Sequence, residues 1–345
     1  MKLYIIGLMS GTSLDGLDIA YCEFYYNKES WSYKIINSKT VEYSISWKNK
    51  LQNMENSSAL DFIKTDTELG IYFGSQVNNF IAEFKINKVD AIASHGHTIF
   101  HQPELGFTTQ IGNGAQIFAT TTIKTINDFR TIDVALGGQG APLVPVGDLL
   151  LFNEYKHCLN LGGIANISSK KNEQINAKDI TFANMIGNYL CQDLNITYDD
   201  KGSIARSGKL NQELFLFLNS TTENTKSLGK ELFTKVIIPQ LENTKISTAD
   251  KLCTLAHHLA SKISENVKPS EDLLITGGGA YNDFWIELIK EKSNANITVP
   301  NQTTIEFKEA LIFAFLGALK LQNKNNCLKS VTGASRNNVG GVIYQ

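Results

Sequence analysis

Short apolar runs alternate along this chain with longer stretches of mixed polarity. Leu3–Leu8, Leu17–Tyr26 and Ser32–Ser46 read as strands, the last with frequent apolar–polar alternation. From Ser58 to about Phe84 the period lengthens to that of a helix. Ser57 and Ser58 supply caps, and Leu60, Phe62, Ile63, Leu69, Ile71, Phe73 and Phe80 an apolar face. Val89–Ser94 reads as a buried strand, Gln110–Gly114 as a helix start, and Ile123–Asn127 as a strand closed by Asp128–Arg130. The glycine-rich Leu136–Pro145 is read as a hinge, followed by a helix to about Tyr155. Strands return at His157–Ser168, Leu273–Thr276 and Asn296–Val299, with helices near 184–194, 211–219, 249–267, 282–293 and 306–322. Strands followed by helices in each half predict an α/β protein of two lobes. Residues 1–135 with about 310–345 are assigned to the first lobe, and about 136–309 to the second.

Composition narrows the functional classes. No apolar run approaches the roughly 20 residues of a membrane span. The first residues form a core strand without the basic region and cleavage site of a secretory signal. Five cysteines without paired spacing suit reduced thiols in a cytoplasmic protein, with Cys22, Cys158 and Cys253 in apolar segments. A formal net charge of −2 gives no reason to expect nucleic acid or an anionic membrane as partner. The basic residues are 29 lysines and only three arginines, Arg130, Arg206 and Arg336, all in motif-like segments. A guanidinium is hard to replace where a rigid fork must grip phosphate or carboxylate. A structural ion pair is the plainer alternative for each.

Three turns carry the candidate chemistry. Tyr4–Ala20 is a strand, a turn of small and hydroxyl residues, and a second strand. Gly7, Ser10, Gly11, Thr12, Ser13, Asp15 and Gly16 would admit a phosphate to backbone N–H groups, and Asp15 would sit where a phosphate-borne metal lies. An ordinary hairpin uses the same residue types. Cys158–Ser168 repeats the design around Gly162, Gly163 and Asn166, and Asp272–Thr276 ends in Gly277, Gly278 and Gly279 before a helix. None is a Gly-x-x-x-x-Gly-Lys-Ser/Thr loop. Together they suggest a two-lobed nucleotide clamp.

The chain also resembles the 1,6-anhydro-N-acetylmuramic acid kinases, members of the sugar kinase, Hsp70 and actin fold group. The matching segments are Gly7–Gly16, Ser94–Thr98, Asp128–Arg130, Asp133–Pro145, Asn160–Asn166, Thr276–Ala280, Lys308–Ala310 and Thr332–Ser335. The resemblance implies two ribonuclease-H-like lobes with a central nucleotide cleft. It also implies ATP with Mg²⁺, an anhydro amino sugar and water as second substrate; relatives suggest a homodimer. The Gly11–Leu17 turn with Asp18, Gly162–Asn166 and Gly277–Gly279 would hold ATP, with Mg²⁺ reached from Asp15 through water. His95, Arg130 and Glu309 would meet the sugar, Arg130 gripping its lactyl carboxylate. Asp128, Asp133 and the Gly137–Pro142 loop fit the same place. Glu309 as a solvated first-turn residue is the plain alternative.

The resemblance fails at one point. The family pattern Asp-Thr-Gly-Pro-Gly-Asn, with a catalytic Asp four residues on, meets Asp179-Ile-Thr-Phe-Ala-Asn184 and then Asn188. An amide cannot take a proton at neutral pH. Another carboxylate could serve as base, from Asp128, Asp193, Asp199 or Asp200, or the chain could be a weak or inactive kinase acting as a sugar or nucleotide sensor. A kinase of another anhydro or amino sugar is a further alternative. His95, His97 and His101 are not read as a metal set, since kinase chemistry needs no bound transition metal. Where the family usually has Gln, His97 points to hydrogen bonding.

Overall fold

The computed structural model describes residues 1–27, 29–172, 174–222 and 228–345. They form two compact units: Met1–Leu151 with Phe307–Gln345, and Phe152–Glu306. The boundary thus falls after the expected hinge at 136–145. The reason is local. The helix Pro145–Leu150 is held to the first unit by Gly147, where a Cβ would lie 2.5 Å from Ile312, and by the buried ion pair of Asp148 with Lys308 at 2.8 Å.

In the first unit, β1 (Lys2–Ser10), β2 (Gly16–Tyr26) and β3 (Trp31–Glu42) are antiparallel neighbours. β4 (Ala91–Gln102) lies parallel to β1 and β6 (Thr125–Asn127) parallel to β4; β5 (Phe107–Ile111) and β12 (Val342–Tyr344) add antiparallel pairings. The order is β12-β6-β4-β1-β2-β3. In the second unit β7 (His157–Leu161), β8 (Ile164–Lys171) and β9 (Gln174–Phe182) are antiparallel, while β10 (Asp272–Thr276) and β11 (Asn296–Thr298) continue in parallel, in the order β11-β10-β7-β8-β9. Three antiparallel strands followed by two parallel ones, with the first strand in the middle, thus occur twice. This is the duplicated ribonuclease-H-like architecture that the resemblance implies.

Several elements depart from the pattern reading. The third strand stops at Glu42 because Ser44 accepts from the Trp47 N–H at 3.3 Å and caps the helix Ile45–Gln52. β4 runs on past His95 to Gln102, and β5 occupies the stretch expected to open a helix; that helix starts at Gly114, capped by Asn113. β9 escapes the pattern reading, since its mostly polar start precedes a buried Ile180–Phe182 end. Gly7 lies inside β1 instead of the turn: a Cβ there would sit 2.0 Å from the Ala310 carbonyl oxygen, so it lets the helix Gln302–Leu321 press on the sheet.

The core of the first unit gathers Ile6, Leu8, Leu17, Ile19, Leu69, Phe73 and Ile92; that of the second gathers Leu159, Leu161, Ile167, Phe182, Leu255 and Ile275. All five cysteines are buried and outside any disulfide. Among the described residues no helix is long and apolar enough to cross a membrane.

Candidate active site

Each unit carries its own part of the expected site. In the first, β1 and β2 meet in a turn whose tip, Thr12 and Ser13, is exposed. The Leu14 N–H donates to the Gly11 carbonyl at 3.2 Å, and Leu14 takes a φ of 61°. The Asp15 carbonyl is tied to the Tyr43 N–H at 3.3 Å, while its residue stays exposed. Gly16 is required by β3, since a Cβ would lie 2.4 Å from the Val41 carbonyl oxygen. Leu17, expected among the ATP contacts, is fully buried in the core, its backbone paired with Ser10 and Val41. Its alternation along β2 points it inward, so its side chain offers a ligand nothing. Asp18 accepts from Thr40 on β3 at 2.6 Å.

Beneath the turn Ser10 bridges the Tyr43 hydroxyl at 2.7 Å and His97 Nδ1 at 2.9 Å, all three side chains buried. Burial lowers His97 to about 4, so its ring is neutral. Nearby, Arg130 donates from Nε and Nη2 to His95 Nε2 at 3.1 and 2.9 Å, and from Nη1 to the Gly140 carbonyl at 2.8 Å. Three of the guanidinium's five N–H groups are thereby used, leaving one on each terminal nitrogen. With Nε2 accepting, His95 donates from Nδ1 to the Gly96 carbonyl at 2.9 Å. Burial first, and Arg130 second, hold His95 well below its ordinary range. Both its ring nitrogens are committed, so His95 braces Arg130 and has none left for a ligand. His101 Nδ1 pairs with the Thr108 hydroxyl at 3.2 Å.

Burial also lowers Arg130, to about 10, against the pull of Glu309. Crowding by protein raises Glu309 above the usual carboxylate range, and Arg130 draws it partly back. Glu309 is nevertheless exposed to solvent. Asp128 takes a φ of 57° and accepts from the Thr131 N–H at 3.2 Å, closing the turn into the helix Thr131–Ala135. Asp133, expected near a substrate, is fully buried. Among the described residues no group of three or more His, Cys, Asp or Glu could hold a metal.

In the second unit, Gly162 and Gly163 form the tip between β7 and β8. Their carbonyls accept from Ala183, Asn184 and Met185 at 2.8–3.1 Å, where the helix Asn184–Gln192 begins. Gly277, with φ 83°, and Gly279 let the end of β10 press on β7: Cβ atoms there would meet Asn160 at 2.5 Å and Leu161 at 2.7 Å. Gly278 is open. It lines a cavity of about 590 Å³ with Gly279, Asn184, Asn188, Asp200, Lys201 and Asn282 among others. Asn166 lies on β8 opposite Asn160 and Asp179.

Asn188, the expected base position, is thus an exposed amide on that cavity wall. Of the substitutes, Asp199 spends its carboxylate on the Ile204 and Ala205 N–H groups, both at 2.9 Å, and Asp193 lies near Thr248. Arg206 is half exposed, paired with Glu287 at 2.7 Å and stacked on Phe284; Arg336 is exposed. Two carboxylates, Glu309 and Asp179, are pushed upward. For Asp179 burial is the cause, opposed by the Leu228 N–H at 3.0 Å. Its environment, invisible in one dimension, comes from β9 and from Leu228 far along the chain.

A cavity of about 590 Å³ with the open Gly278 on its wall in one repeat of this fold, and a braced arginine near an accessible carboxylate in the other, fit a carbohydrate-kinase type of protein. The family model described as Anhydro-N-acetylmuramic acid kinase matches residues 3–345, and the chain belongs to that family. It is 36% identical over 376 residues to the anhydro-N-acetylmuramic acid kinase of Clostridioides difficile (strain 630), covering 99% of this chain and 98% of the relative. Identity to the enzyme of that name from Bacillus cereus (strain Q1) is 33% over 379 residues, 99% of each chain. Among solved structures, the activator of the 2-hydroxyisocaproyl-CoA dehydratase from Clostridium difficile aligns over 93% of this chain and 97% of its own, at 14% identity and a TM-score of 0.44.

Proposed function

We propose that this chain is an ATP-dependent kinase of 1,6-anhydro-N-acetylmuramic acid, yielding N-acetylmuramic acid 6-phosphate. Water adds to C1 as the C1–O6 bond breaks; O6 takes the γ-phosphoryl group, and ADP leaves. Arg130 is the observation that carries this reading. Its fork is braced by His95 and Gly140 and keeps two N–H groups, the number a lactyl carboxylate takes up bidentately. The turn at residues 11–16 suits a phosphate, and the cavity beside Gly278 has room for a nucleoside. The exposed Asp15 on its tied turn fits a Mg²⁺ reached through water, which would offset phosphate charge.

The water's proton needs a base that is ionised yet basic enough. Raised carboxylates suit that task, which favours Glu309 and Asp179 over the amide of Asn188. Incubation with ATP, Mg²⁺ and the anhydro sugar in ¹⁸O-water should give a ring-opened 6-phosphate carrying the label at C1. No such product would overturn the reading. Asp179→Asn and Glu309→Gln identify the base: its loss lowers kcat roughly 10²–10⁴-fold. Asn188→Asp should change the rate little; a large gain would mean that the unaltered chain lacks a base.

A further inference from the structure

The Thr332–Ser335 motif and the buried Asp133 have no part in the chemistry above, yet they meet. Asp133 Oδ1 accepts from the Thr332 hydroxyl at 2.9 Å, the Asn338 amide at 2.8 Å and the Cys327 thiol at 2.9 Å. Its Oδ2 accepts from the Gly140 N–H at 2.8 Å. The backbone ties the same two segments: Gln139 N–H donates to the Thr332 carbonyl at 2.8 Å, and Ser335 N–H to the Leu136 carbonyl at 3.0 Å. Gly138 leaves no slack, since a Cβ would meet Asp133 Oδ2 at 2.3 Å and Ala334 at 2.8 Å. Four donors converge on one carboxylate with no exposed surface, so it cannot touch a ligand. What it holds is Gly140, and the Gly140 carbonyl receives Arg130 Nη1.

We propose that Asp133, clamped by Thr332, Cys327 and Asn338, is a positioning residue that fixes the loop at Gly140 and thereby the angle of the Arg130 fork. This rests on the reading of Arg130 as the sugar's grip. Asp133→Asn keeps the shape but must turn an NH₂ toward a donor on one side or the other. The test is a double-mutant cycle with Arg130→Ala, reading KM for the anhydro sugar and for ATP separately. Asp133→Asn should raise the sugar's KM about tenfold or more, leave that for ATP within about twofold, and have little further effect once Arg130 is gone. Cys327→Ser, which keeps a donor, should remain near the unaltered protein, whereas Cys327→Ala should shift the sugar's KM in the same direction as Asp133→Asn. Where Asp133→Asn does not fold by circular dichroism, Thr332→Val takes its place in the cycle. Additive effects, or equal rises for both substrates, would overturn the proposal. An Arg130→Ala variant with unchanged KM for the sugar would instead refute the grip, and the positioning role with it.

Discussion

At the scale of single residues, charge placement decides more than residue type. Arg130 is one of three arginines, but only its setting inside the protein distinguishes it from the exposed Arg336 and the half-exposed Arg206. Charge-assisted hydrogen bonds contribute about 1.5–3 kcal/mol each. Arg130→Ala should therefore raise KM for the muramic sugar at least roughly tenfold more than for a glucosamine analogue without the lactyl group. Steady-state kinetics on both sugars checks this, and equal losses would remove the carboxylate grip. A second expectation concerns pH. The proposed bases have raised pKa values, so each holds its proton to a higher pH than a free carboxylate. A base works only when ionised, so kcat/KM should fall on acidification along a limb above the ordinary values of 4.5 for Glu309 and 3.8 for Asp179. A profile flat down to pH 4 would argue against both.

At the scale of elements, close approach sets what each glycine is for. Gly7 and Gly16 flank the turn at residues 11–15 in sequence but serve packing, one under the helix Gln302–Leu321 and the other beside β3. Gly7→Ala would drive a methyl into the Ala310 carbonyl and the Ala314 side chain. Overpacking of this kind costs about 1–3 kcal/mol, and backbone cannot retreat as a flexible side chain can. The melting temperature should drop by several degrees. An unchanged value would mean that the helix is free to shift. The same helix carries Lys308 and Glu309 side by side, one buried against Asp148 and the other accessible beside Arg130.

At the scale of the whole molecule, three buried histidines couple stability to pH. His95, His97 and His258 lie below the ordinary 6.5, His97 at about 4 and His258 at about 3, burial being the first cause for each. His258 is held neutral between Thr181 at 2.7 Å and Asn219 at 2.6 Å. Between these values and 6.5 the unfolded chain binds more protons than the folded one. Stability is therefore fully present above pH 6.5 and lost as pH falls, by up to about 1.4 kcal/mol per unit per histidine. Denaturant melts from pH 7.5 to 4.5 should show this decline. His258→Asn should make it shallower, and an unchanged slope would show that this ring does not drive it.

The amino-acid order alone determined the alternation of strands and helices, the three glycine turns and the segments around Arg130, because these rest on local periodicity and local backbone freedom. Position along the chain could not separate Gly7 from Gly11, or Leu17 from its turn, since packing partners such as Ala310 and Val41 are distant in sequence. Nor could it assign Asp133, whose four donors come from Gly140 and from residues some two hundred positions away. His95 read as a substrate contact because its motif places it nearby; only the fold turns both its nitrogens to Arg130 and Gly96. Burial and hydrogen-bond partners belong to three dimensions. They decide which polar residues hold the scaffold and which, like Arg130 and Glu309, keep hydrogen-bonding capacity to spare.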